Sequence, residues 1–153
     1  MRIRAVIFDD DATLRQLLWT VCDNRGYEVS IFRDPSLCPL HAMSRCPCPA
    51  DTVCADLILS DLNMLHVNGL DFIEGLRTKR CGVPHFILLS GAWSAAERER
   101  ATRLGCQVLA KPFALPELVA CLETVEATIS PKRHLLDWGS QEWGVKHGTT
   151  GGS

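Results

Sequence analysis

Residues 5–14 read AVIFDDDATL: an apolar run suited to a buried strand, three consecutive carboxylates at Asp9, Asp10 and Asp11, and then the start of a helix. Three like charges in a row repel one another, and at the end of a strand they oppose folding unless a cation lies among them. The stretch therefore asks for a metal ion, or for a lysine delivered by a distant part of the chain.

Outward from there, the unit of strand and helix repeats. Residues 2–8, RIRAVIF, end apolar and β-branched, and Leu14, Leu17, Leu18, Val21 and Cys22 follow at helical spacing before Gly26, which supplies a left-handed stop. YEVSIF (27–32) is the second strand and ADLILSD (55–61) the third. Leu70, Ile73 and Leu76 mark a helix that closes near Gly82, and PHFILLS (84–90) is the fourth strand. Residues 94–104 form a charged helix ending before Gly105, CQVLA (106–110) is the fifth strand, and Leu115, Leu118, Val119, Leu122 and Val125 give a last helix its apolar face, with Pro116 tolerated in the first turn. The strands are continuous apolar runs rather than alternations, which predicts a parallel sheet covered on both sides. With right-handed crossovers, five such units give the α/β flavodoxin-like fold, a (βα)5 doubly wound sheet of order 2-1-3-4-5.

In an open sheet of this kind ligands bind beyond the carboxyl ends of the strands. Strand one ends in the three aspartates, strand three in Asp61, strand four in Ser90, and strand five in Lys111 followed by Pro112. The topology sets these ends side by side. Clustered carboxylates with one lysine and one hydroxyl can bind Mg²⁺ and stabilise a transferring phosphoryl group, which an aspartate can accept.

Asp9–Asp10, SDLNM around Asp61, LLSG around Ser90 and AKPF around Lys111–Pro112 resemble the receiver domain of two-component response regulators, over about residues 2–129. The resemblance implies that Asp61 is the phosphoacceptor, that Asp10 ligates Mg²⁺ directly and Asp9 through water, and that Asn63 offers the metal its backbone carbonyl. It gives Ser90 and Lys111 to the phosphoryl oxygens, and it makes Lys111–Pro112 a cis peptide bond. Asp11 is then a solvated or helix-capping residue. A sensor histidine kinase is the implied donor, signalling by protein–protein contact is the implied output, and self-catalysed phosphoryl transfer and dephosphorylation are the chemistry in place of turnover.

Two positions depart from the pattern. Val108 stands where receivers carry Tyr or Phe, and Leu65–His66 replace the usual Pro-Gly after SDLNM. Val is small and stiff about its first torsion, which also leaves room for a receiver-shaped interaction module that is not phosphorylated. Trp93, close after Ser90, is either a movable aromatic or a cover on the pocket rim. The opening stretch additionally resembles the first motif of haloacid-dehalogenase-type phosphohydrolases, with Asp9 as nucleophile, Asp11 as acid and base, and Thr13. That reading leaves Asp61 unexplained and finds only Glu117, Glu123 and Glu126 after Lys111, at positions that suit a helix surface.

The remaining composition narrows the class. A net charge of −2 from 16 basic and 18 acidic residues gives no nucleic-acid footprint. The first apolar run is too short for a signal peptide and no stretch approaches a membrane span, so the expectation is a cytoplasmic protein, a monomer or weak homodimer, with reduced thiols. Cys38, Cys46, Cys48 and Cys54 fall in a Cys-rich insertion at about 36–54, where the second helix belongs; free thiols, a structural metal or cluster, and a disulfide all stay open. Cys22, Cys81, Cys106 and Cys121 read as small fillers. Residues 130–153 read as a tail with Trp138 and Trp143 and without an output domain.

Overall fold

The computed structural model describes residues 2–33, 35, 52–65 and 67–136. Among them the chain runs β1 Arg4–Phe8, α1 Ala12–Asn24, β2 Glu28–Phe32, β3 Thr52–Val53, β4 Leu57–Asp61, α2 Gly69–Thr78, β5 His85–Ser90, α3 Ala95–Arg103, β6 Cys106–Ala110, α4 Leu115–Thr128 and β7 His134–Leu135. Five strands form one parallel sheet in the order β2-β1-β4-β5-β6, which is 2-1-3-4-5 when only its own strands are counted. His66, Cys38, Cys46, Cys48, Trp138 and Trp143 lie outside the described residues.

Alternate side chains of each strand leave opposite faces, so a strand covered on both sides must be apolar throughout. Ala5, Ile7, Leu57, Leu59, Ile87 and Leu89 pack with Leu18 and Cys22 of α1 and Leu118, Leu122 and Val125 of α4. Val6, Phe8, Ile58, Phe86 and Leu88 pack on the other face with Leu70, Ile73 and Leu76 of α2 and Ala101 of α3. Phe8 stacks on Phe32 and meets Phe72 edge-on, with ring centroids 5.6 and 5.2 Å apart.

Local chemistry sets the helix limits. Asp11 caps α1, Asn68 caps α2, and Ser94 with Glu97 forms a reciprocal capping box on α3. Gly26 and Gly105 sit at φ +83° and +78°, the left-handed conformation that glycine enters without strain. No helix among the described residues is long and apolar enough to cross a membrane.

The strands begin later than the apolar runs suggest, at Arg4, Leu57 and His85. At the start of β4 the cause is Asp56, which is fully buried and takes the Arg4 N–H on its carboxylate at 3.0 Å. Arg133, from beyond α4, grips the same carboxylate with two donors at 2.7 Å each. That contact carries residues 130–136 onto the sheet's amino edge, where His134–Leu135 pairs with Thr52–Val53 as a second, two-stranded parallel sheet. Arg4 also binds there, donating to Cys54 O at 3.1 Å and pairing with Glu28. Two-residue strands and a pair separated by 77 positions leave no periodic trace in the sequence, so nothing local announces them.

Candidate functional site

At the opposite edge of the sheet, the carboxyl ends of β1, β4, β5 and β6 bring Asp9, Asp61, Ser90 and Lys111 to adjacent positions. Carboxylate oxygens of Asp9, Asp10 and Asp61 lie within 4.8 Å of one another. Lys111 Nζ stands 3.2 Å from Asp61 Oδ1 and 3.6 Å from Asp9 Oδ2. The peptide bond after it, Lys111–Pro112, is cis, and the Lys111 N–H donates to Ser90 O at 2.8 Å.

The three opening aspartates take different parts. Asp9 is wholly buried; Asp10 is exposed beside it; Asp11 is committed to the helix, its Oδ1 accepting the Thr13 and Leu14 N–H groups at 2.9 and 3.2 Å. The hydrolase reading needs the Asp11 carboxylate as the acid and base beside Asp9, yet the group that meets Asp9 and Lys111 is Asp61.

Three carboxylates face one ammonium, and both buried acids respond. Burial pushes the Asp9 carboxyl up from 3.8 to about 6, against the pull of the Asp11 N–H and Lys111, and with a further push from Asp61 and Asp10. Asp61 is raised for the same first reason, opposed by Lys111 and the Asn63 N–H and reinforced by Asp10. Asp9 Oδ2 is buried and has no hydrogen-bond partner among the described residues. A buried orphan acceptor beside two more carboxylates suits a hard divalent cation with oxygen ligands, so the residues present fit Mg²⁺.

Around this acidic centre the polar groups are small. The Ser90 hydroxyl accepts the Ala92 N–H at 3.1 Å and donates to Ala92 O at 3.2 Å, and Asn63 Nδ2 reaches it at 3.4 Å. Val108 is half-buried against the α2–α3 face of the core, and the nearby ring is Trp93, whose indole N–H donates to Leu109 O at 3.3 Å. Arg98 lies over the indole, 5.8 Å from its centre. The fixed hydrogen bond makes Trp93 a bridge between the β5–α3 loop and β6. Leu65, after SDLNM, is 77% exposed.

Two contributors were not legible in the motifs. Gly69, the first residue of α2, lies so close under the end of β4 that a Cβ there would stand 2.6 Å from Asp61 O and 3.2 Å from Leu62 Cα. Backbone cannot yield as a side-chain tip can. Gly69→Ala is expected to cost about 1–3 kcal/mol by overpacking and to displace Asp61; denaturant unfolding and the Mg²⁺ affinity of the variant check both, and a parent-like value for each would show that the helix start gives way instead. Arg15 is the other: its guanidinium donates to Asp9 O at 2.8 Å. A one-glycine or one-arginine signal has no spacing that could have marked it.

The comparisons with known proteins agree with this geometry. The profile of the response regulator receiver domain matches residues 5–123. A probable transcriptional regulatory protein of Picosynechococcus sp. is 31% identical over 120 residues, 78% of this chain and 47% of that protein. A probable chemotaxis protein CheY of Rhizobium etli is 29% identical over 126 residues, 81% of this chain and 92% of that one. The chain thus spans about half the length of the transcriptional regulator and nearly the whole of the chemotaxis protein. Among solved structures, the non-phosphorylated receiver domain of HemR from Leptospira biflexa aligns with a TM-score of 0.69 at 28% identity, covering 84% of this chain and 98% of that one.

Proposed function

The chain belongs to the response regulator receiver domain family, and from that premise we propose that it is a Mg²⁺-dependent phosphoacceptor: a sensor histidine kinase phosphorylates Asp61, and the altered surface then binds a downstream protein. The observation that carries the reading is the position of Lys111, 3.2 Å from Asp61 and 3.6 Å from Asp9, at the junction of three strand ends.

In this reading an Asp61 carboxylate oxygen attacks the phosphorus of a phosphohistidine, the P–N bond breaks, and its electron pair leaves with the imidazole, giving an aspartyl phosphate. Asp9, Asp10, Asp61 and the Asn63 backbone carbonyl would hold Mg²⁺. When bound, the ion offsets the negative charge that the carboxylates and the phosphoryl oxygens bring together. Lys111 supplies the permanent cation. Having one proton, the Ser90 hydroxyl must leave Ala92 O to donate to a phosphoryl oxygen, and so the β5–α3 loop that carries Trp93 feels the change. Asp61 is consumed and regenerated by hydrolysis, which makes the domain a signalling switch rather than a turnover catalyst.

Intact mass after treatment with acetyl phosphate and Mg²⁺ tests this. The expected result is a gain of one phosphate, absent without Mg²⁺ and absent in Asp61→Asn. A parent protein that takes up no phosphate from either this donor or a phosphorylated kinase would leave the alternative in place, a receiver-shaped interaction module, which the small half-buried Val108 favours.

A further inference from the structure

Asp9 is fixed at every polar atom except one. Its N–H donates to Phe32 O at 3.2 Å, its Oδ1 accepts the Asp11 N–H at 2.9 Å, and its carbonyl accepts Arg15 Nη1 at 2.8 Å. That leaves Oδ2, buried, without a hydrogen-bond partner among the described residues and 3.6 Å from Lys111 Nζ. The first two contacts are made by backbone groups of neighbouring elements and survive any substitution that keeps the fold. The contact from Arg15 is made by a side chain.

The helix itself gives an arginine no reason to stand at this position. Arg15 sits in the first turns of α1, whose amino end carries a partial positive charge, and its side chain turns back toward that end to reach Asp9. A cation there gains nothing from the helix. What it gains is the Asp9 carbonyl, which belongs to the peptide that joins Asp9 to Asp10.

We infer that Arg15 is a positioning residue for the acidic pocket: by holding the Asp9 carbonyl it fixes the Asp9–Asp10 peptide, and so directs Asp9 Oδ2 and the Asp10 carboxylate toward a shared divalent cation. The inference rests on the reading of this pocket as a Mg²⁺ site. Its consequence is opposite in sign to that of charge alone. A guanidinium beside a cation site repels the cation, so removing a mere charge would tighten Mg²⁺ binding; removing an anchor weakens it.

The test is Mg²⁺ titration of the full chain by calorimetry, with Arg15→Met, which keeps the aliphatic stem, and Arg15→Lys, which keeps a single donor for the single carbonyl. The expected result is a Mg²⁺ Kd raised roughly tenfold in Arg15→Met, the scale on which outer partners of metal ligands act, and restored to within about threefold of the parent in Arg15→Lys. Metal-free thermal unfolding of both variants shows that the fold is intact; should Arg15→Met not fold, Arg15→Ala, which also removes the donor, is read in its place. An unchanged or tighter Kd in the neutral variant overturns the inference, as does a lysine variant no better than the neutral one. A parent that binds no Mg²⁺ and takes up no phosphate instead brings down the functional reading, a result that the parent alone reveals.

Discussion

Arg133→Met is expected to unfold roughly 10 °C below the parent, a loss of about 3–5 kcal/mol at about 2–4 °C per kcal/mol for a chain of this size. The reason is what the substitution leaves behind. The Asp56 side chain is fully buried, and Arg133 satisfies both of its oxygens at 2.7 Å while donating also to Arg2 O at 2.6 Å. Without the guanidinium, a buried carboxylate keeps, among the described residues, only the Arg4 N–H. The pair itself need not stabilise the fold, because desolvating two charges offsets much of their attraction. Breaking it from one side does cost. The double variant Asp56→Asn with Arg133→Met should therefore recover at least half of the loss, since a neutral amide still accepts from Arg4 and no charge is stranded. Urea unfolding of the four proteins in the cycle measures the coupling. A single variant within about 0.5 kcal/mol of the parent, the usual range for surface changes, would mean that water reaches Asp56 and the strap is loose.

Asp9→Asn is expected to act in the opposite direction, stabilising the metal-free protein at pH 7 by about 1–3 kcal/mol. Asp9 is fully buried and its carboxyl is raised from 3.8 to about 6, first by burial. The unfolded chain therefore loses this proton near pH 4, whereas the folded chain keeps it until about pH 6. Across that interval the native state pays an increasing penalty that levels off near about 3 kcal/mol above pH 6. An asparagine keeps the Asp11 N–H bond through its carbonyl oxygen and removes the ionisation. The stability difference between variant and parent should grow from pH 4 to pH 6 and then stay flat, and Mg²⁺ should stabilise the parent at pH 7 while leaving the variant nearly unchanged. A difference that does not vary with pH would mean that Asp9 is ionised at its ordinary value, and burial would not be what raises it.

The two predictions probe opposite edges of the sheet, and the strands connect them. β1 runs from Arg4 to the acids after Phe8, and β4 runs from Leu57, just after Asp56, to Asp61. Residues 130–136 thus bind the starts of the two strands whose ends carry the carboxylates.

Much of this was legible in the primary structure because it is local. Gly26 and Gly105 stop helices where the left-handed conformation is needed, Asp11 caps α1, and the apolar runs fall on the central strands with shifts of one to two residues at their starts. Asp56 shows why those starts were misjudged. The run ADLILSD takes Asp56 as a strand residue, whereas the structure sets it just before β4, buried, with its charge met by a distant arginine. Gly69 and Arg15 escaped notice for a related reason, since their effect depends on the backbone atoms they approach, Asp61 O and Asp9 O, and sequence does not record an approach. The cysteines divide similarly: Cys22 is a buried core thiol, pushed up to about 12, whereas Cys38, Cys46 and Cys48 lie outside the described residues.

By itself the sequence determined the alternation of strand and helix, hence a parallel sheet covered on both faces, and it put carboxylates, a hydroxyl and a lysine at strand ends. Periodicity and capping are short-range, and they are written in neighbouring residues. Only the tertiary structure decided that Asp9 is dehydrated while Asp10 stays exposed beside it, and that Arg133 closes the far edge. Those outcomes depend on desolvation and on contacts between residues far apart in the chain, quantities that come into being when the sheet assembles.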